Sequence, residues 1–211
     1  EPVWLDRADS IGVIDWTINH ILNIPENQVL TSSVLSKFYE SISFLEKLID
    51  ENQLFPNNLT KNIKLNFSPS YVQLENFVYT LGQHQKGIHS EIIYYIQKSY
   101  NSNDIFPLTE QEIYILNAKN IIPGNMIQIA HAQKYSSDIA YMFPDPINKA
   151  GWDLYALEMI IDGFLSDIDI VYKILLLREK IKIICWAIVE EKYYSGNIKR
   201  KEAIEYLMRE A

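Results

Sequence analysis

The sequence is most restrictive in what it lacks. A single cysteine, Cys185, in 211 residues excludes an internal disulfide and any metal site built from several thiolates. Its neighbours Ile183, Ile184 and Trp186 are apolar, so the thiol reads as a small buried hydrophobe. Basic charge is short: 19 lysines and arginines stand against 27 acidic residues, a formal charge of −8. A protein that grips nucleic acid through its phosphates needs a cationic face, so no nucleic-acid partner is expected. Long uninterrupted hydrophobic runs are missing as well. The longest apolar stretch, Ile168–Val189, is broken by Lys173, Arg178, Glu179, Lys180 and Lys182, which makes it a core helix and not a membrane span. There is no G-x-S-x-G elbow, no P-loop, no dinucleotide fingerprint and no internal repeat. No secretory signal is visible in a chain that begins at Glu1, and a cytoplasmic location is the expectation.

Histidine is scarce too. His84, His89 and Glu91 make H-x4-H-x-E, which is no standard zinc spacing. His20 stands alone in sequence, and His131 has no second histidine three or four residues away. Asp162, Asp167 and Asp169 lack the register of a calcium loop and are better placed to cap the helix that follows.

What is present is apolar and mostly helical in period. A hydrophobic fraction of 48% is ample for a sizeable core. Ser10–Leu22 and Ser33–Ile49 carry their apolar residues on one helical face. Between Leu59 and Lys98 the period shortens. Ile63–Phe67 alternates, and Glu91–Gln97 is rich in β-favouring side chains, so a small sheet or hairpin is expected over about 60–98. Tyr100–Phe106 reads as a turn-rich loop, and Phe143-Pro144-Asp145-Pro146 forces a turn. Three helices follow, over Lys149–Leu165, Asp167–Tyr194 and Lys199–Arg209. The expected fold is mainly α with this small sheet, arranged as an N-terminal helical segment over 1–58 and one domain over 59–211.

The central stretch is Thr109–Gln133. Thr109 and Glu112 form an S/T-x-x-E capping box that starts a helix. Ile113, Ile115, Leu116, Ile121, Ile122, Ile127 and Ile129 continue it, with Pro123-Gly124 in the middle. Inside a helix that pair would cost about 4 kcal/mol, so a kinked helix that serves a site is expected.

Pro123-Gly124, then Gln128-Ile129-Ala130, is followed by Gly151-Trp152, Leu154, Tyr155 and Ala156. This resembles the helical zinc-peptidase-like family known as domain-of-unknown-function family 885, whose signature is H-E-x-x-P-G-H-H-L-Q and then E-G-W-x-L-Y-A-E. Gly163-Phe164 and Lys201–Leu207 extend the likeness, which covers about 60–211. The resemblance implies a helical zincin-like domain in which histidines and a glutamate hold Zn²⁺ and a second glutamate acts as general base.

This chain departs from that pattern at the chemistry. Lys119 and Asn120 stand where the family opens with histidine and glutamate, Asn125 and Met126 where it has its next histidines, and Ala150 where it has the glutamate before Gly-Trp. Tyr194 falls near the family's later histidine. An ammonium at Lys119 repels a divalent cation. The expectation is therefore a metal-free pseudo-peptidase without cofactor, in which Lys119 supplies part of the metal's charge to a carboxylate such as Glu158. Asn125, Gln128, Ala150, Trp152, Tyr155 and Tyr95 would line a groove for a peptide or small molecule, and the strand at Glu91–Gln97 would offer an edge. A partner protein or a second copy is compatible with this reading. The alternative is an enzyme acting on a small molecule without metal, with Lys119, Asn120 and Tyr194 as its candidate catalytic groups.

Overall fold

A computed structural model describes residues 28–30, 33–55, 63–69, 78–81, 92–97, 105–143 and 145–210. The expected helix at Ser10–Leu22 and the His20, His84, His89 and Glu91 positions lie outside them. The architecture is mainly α with small sheets. The chain packs as two compact units, Glu1–Leu157 and Glu158–Ala211. Among the described residues, no helix is long and apolar enough to cross a membrane.

The first unit is built on α1 (Val34–Glu51), which buries Val34, Phe38, Ser41, Ile42, Leu45, Leu48 and Ile49. That face is the one its 3-4 apolar spacing dictates. It packs on α2 (Glu110–Asn120), and the Asn117 amide donates to the Phe38 carbonyl across the contact at 3.2 Å. β1 (Gln28–Leu30) pairs antiparallel with β5 (Ile105–Thr109). β2 (Ile63–Phe67), β4 (Ile92–Ile96) and β3 (Val78–Leu81) form a second sheet in the order β2-β4-β3. β2 runs parallel to β4 and β3 antiparallel to it. Tyr94 of β4 is fully buried with its ring 6.1 Å from Phe38, and the Leu65 N–H donates to the Tyr39 hydroxyl.

The small sheet expected over about 60–98 is present, and the two strands read from the sequence, β2 and β4, run parallel in it. Two expectations are corrected here. β4 is the central strand, so the segment 92–96 has both backbone edges occupied and offers none to an incoming peptide. Ile105 and Phe106, expected in a loop, belong to β5 despite Pro107. β5 has one partner, and a proline is tolerated on such an edge.

After α2 come α3 (Asn125–Tyr135), the short α4 (Asp138–Met142) and α5 (Pro146–Ile160), whose last residues, from Glu158, are counted with the second unit. Pro146 opens α5, where its missing N–H costs nothing, and the Asp145 carboxylate accepts from the Ile147 N–H at 2.9 Å.

The second unit holds a π-helical turn, Ile161–Leu165, then α6 (Ile170–Tyr194) and α7 (Arg200–Glu210). Asp169 caps α6 by accepting from Val171 N–H at 2.9 Å, the capping role read from the sequence. Gly196, at φ +77°, ends α6 in the left-handed conformation that glycine adopts without steric cost. Ile160, Ile161, Leu165, Val171, Leu175, Leu176, Cys185, Val189 and Ala203 are buried. Cys185 sits among them as a free thiol.

Candidate functional site

The segment between α2 and α3 is a joint and not a kink. The capping box forms as the sequence implies: Glu112 N–H donates to Thr109 Oγ1 at 3.3 Å, and Thr109 N–H donates to the Glu112 carboxylate at 2.9 Å. The helix then stops at Asn120, turns through Ile121–Gly124, and restarts at Asn125. Pro123 and Gly124 are in the turn, so the penalty for a helix-interior proline does not arise. The Ile122-Pro123 peptide is cis. Glycine at 124 is required by close approach. A Cβ there would lie 1.7 Å from the Lys119 carbonyl oxygen and 2.7 Å from that of Ala118.

α5 closes on this joint. The Trp152 indole N–H donates to the carbonyls of Pro123 and Gly124, each at 3.1 Å, and its ring stands edge-on to Phe55 at 6.0 Å. The two segments that carry the family resemblance therefore meet in space. Ile121, Ile122, Asn125, Met126 and Ile127 are all buried. Asn125 and Met126, two of the positions to which the resemblance gives histidines, thus hold an amide and a thioether packed into the core.

Beside Trp152, Asp153 is the most perturbed acid described. Burial raises its carboxyl from the usual 3.8 to about 6, while the ammonium groups of Lys149 and Lys119 work in the opposite sense. Asp153 Oδ1 is buried and accepts no hydrogen bond, and the same holds for Asn125 Oδ1. Tyr94 is pushed well above its ordinary phenol range by burial, an effect the Asn120 amide partly offsets. The Asn120 amide also donates to the Leu116 carbonyl at 2.9 Å.

The chain matches no protein-family model, no curated protein and no solved structure.

The sequence-predicted residues divide by location. Lys119, Asn120 and Asn125 flank the joint, Trp152 closes it, and Gln128 is half-buried one turn into α3. Ala150 and Tyr155 are exposed on α5, with the Tyr155 ring 5.8 Å from that of Trp152. Tyr95 is half-buried on the central strand β4. Tyr194 belongs to the second unit, where it is 83% exposed and packs edge-on against Tyr193. Glu158, suggested as the partner of Lys119, is engaged by Lys180 within the second unit. Asp153 does feel the Lys119 charge.

Asp153 was missed because it occupies the variable position of G-W-x-L-Y. Its signal was the spacing Lys149 to Asp153, one helical turn, next to a tryptophan. Among the described residues, no three His, Cys, Asp or Glu side chains are grouped so that they could hold a metal ion. The second unit has a cavity of about 270 Å³ between α6 and α7, lined by Ile188, Lys192, Glu202 and Tyr206 among others. Glu202 is occupied in capping α7 through the Lys199 N–H, and Lys192 lies over the Tyr206 ring at 5.9 Å.

Proposed function

We propose that this chain is a metal-free binding protein on a peptidase-like frame, a degenerate relative of the helical zinc-peptidase-like family with no zinc-dependent hydrolysis. The observation that carries the reading is the charge arrangement at the joint. One half-buried carboxylate, Asp153, lies in the field of two ammonium groups of the same chain, Lys149 and Lys119, which oppose the effect of its burial without outweighing it. A cation bound from solution would have to enter against both of them. The buried side chains of Asn125 and Met126, at positions the resemblance gives to ligands, support the same reading. The exposed residues of α5 beside Trp152, Ala150 and Tyr155, are the surface available to a peptide or small ligand.

The test is zinc content of protein purified without chelator, loaded with zinc and dialysed. The expected result is far below one zinc per chain. One zinc retained per chain sinks the proposal and turns attention to His84, His89, Glu91 and His131.

A second reading is favoured by one observation. A buried carboxyl oxygen without a partner, on a group that titrates near 6, is suited to taking up and releasing a proton close to neutral pH. On that reading the protein is a non-metal enzyme on a small molecule, with Asp153 as its acid or base. Any turnover would then follow a pH profile with a midpoint near 6, lost in Asp153→Asn.

A further inference from the structure

α5 is fastened to the joint near its middle. Its first six residues, Pro146 to Gly151, are all exposed. Burial begins with Trp152 and Asp153, which are half-buried, and becomes complete at Ala156 and Leu157. A helix half that buries no side chain has little packing to hold it, and such segments open at a lower free energy than the core. The fastening is Trp152: its indole N–H donates to the Pro123 and Gly124 carbonyls at 3.1 Å each, and its ring meets Phe55.

The residue next to this fastening suits its place only when neutral. Among the described residues, nothing donates a hydrogen bond to the buried Asp153 Oδ1. An ionised carboxylate with a buried oxygen gives up hydration there and receives no donor in exchange, whereas a neutral carboxyl loses far less. The charged groups that act on Asp153 are Lys149, one turn earlier on α5, and Lys119 at the end of α2. The first turn of α3, Asn125 to Gln128, carries no titratable side chain, and neither does Phe55. The two ammonium groups do not outweigh burial, which leaves the carboxyl titrating near 6. Seating of Trp152 and protonation of Asp153 are therefore linked: closure takes up the proton, so rising pH opposes closure.

We infer that Asp153 makes the first half of α5 a pH-sensitive strap: with the acid protonated Trp152 is seated on the Pro123 and Gly124 carbonyls, and ionisation of Asp153 favours its release. Release detaches Ala150, Trp152 and Tyr155 from the joint, so a ligand of that surface finds it intact in acid and disrupted more often at neutral pH. This regulation rests on the binding role proposed above for the surface beside Trp152.

The test is hydrogen exchange of the Trp152 indole N–H in the full chain, followed by nuclear magnetic resonance and corrected for the intrinsic exchange rate at each pH. Trp152→Phe assigns the signal. Protection is expected to fall about 10-fold between pH 4.5 and 7.5. The backbone N–H groups of Ile42 and Leu45 inside α1 are expected to keep theirs. In Asp153→Asn the indole stays protected at both pH values, to within about twofold. Lys119→Gln removes a charge that opposes the burial effect, so its transition is expected at higher pH than in the wild type, and it decides the matter if Asp153→Asn does not fold. Equal indole protection at both pH values, a pH dependence that persists in Asp153→Asn, an unmoved transition in Lys119→Gln, or a parallel loss of protection in α1 overturns the inference. Zinc content of the same preparation reports separately on the proposed function, so either can fail without the other.

Discussion

The joint between α2 and α3 and the long helix α6 are both rich in isoleucine, and they use it in opposite ways. At the joint, Ile121, Ile122 and Ile127 are buried to within a few per cent, the backbone passes so close to itself that only glycine fits at 124, and an indole locks the turn. On α6, Ile170 and Ile184 are mostly exposed on an otherwise regular helix. Both stretches look equally apolar in the sequence. Burial depends on what each unit can bring against them: α5 supplies Trp152 to the joint, whereas α6 has more apolar surface than α7 and the π-helical turn cover. The joint should be brittle to substitution and the exposed positions of α6 tolerant of it.

The sharpest way to break that contrast is Gly124→Ala. One methyl group would overlap backbone atoms of Lys119 and Ala118, which cannot move without unwinding the end of α2. The expected loss is about 3 kcal/mol or more in urea unfolding. A loss under about 1 kcal/mol would mean that the turn has slack. Next is Trp152→Phe, which keeps an aromatic ring but removes the donor shared by the Pro123 and Gly124 carbonyls. A loss of about 1–2 kcal/mol is expected.

Asp153→Asn acts with the opposite sign. In the folded chain the carboxyl titrates near 6 against 3.8 in its absence, so the folded state holds the proton more tightly than the unfolded one. The stability this group contributes is therefore full below pH 4 and is lost as pH rises through 6. Burial outweighs the two lysines, so the neutral amide is expected to stabilise the chain by about 1 kcal/mol at pH 7, after allowance for partial exposure, and by close to nothing at pH 4. Destabilisation at pH 7 would mean that Lys119 and Lys149 bind the carboxylate better than burial penalises it. The smallest effect belongs to the exposed side of α6: Leu177→Glu should unfold within about 0.5 kcal/mol of its parent sequence.

Much of the fold was legible because it rests on local signals. The period of Val34–Ile49 gave α1, the alternation of Ile63–Phe67 gave β2, and Thr109 with Glu112 gave the start of α2. Less was legible where the chain meets a distant part of itself. The centrality of β4 depends on its pairing with both β2 and β3, which no single segment encodes. β5 was hidden by Pro107, whose tolerance depends on lying in a two-stranded sheet. At the candidate site, Lys119, Asn120, Asn125 and Trp152 could be named from the motif. Asp153 could not, because its character comes from burial beside α2 and not from its spacing alone.

By itself, then, the sequence determined most of the helices, the strands β2 and β4, and the exclusion of an internal disulfide or a metal site of several thiolates, since helical period, caps and composition act over a few residues. Tertiary structure decided that Pro123-Gly124 is a turn closed by Trp152, that burial outweighs Lys149 and Lys119 at Asp153, and that Ile170, Leu177 and Ile184 of α6 stay exposed. Those outcomes depend on which groups are removed from water together, and solvent exclusion is a property of the packed chain.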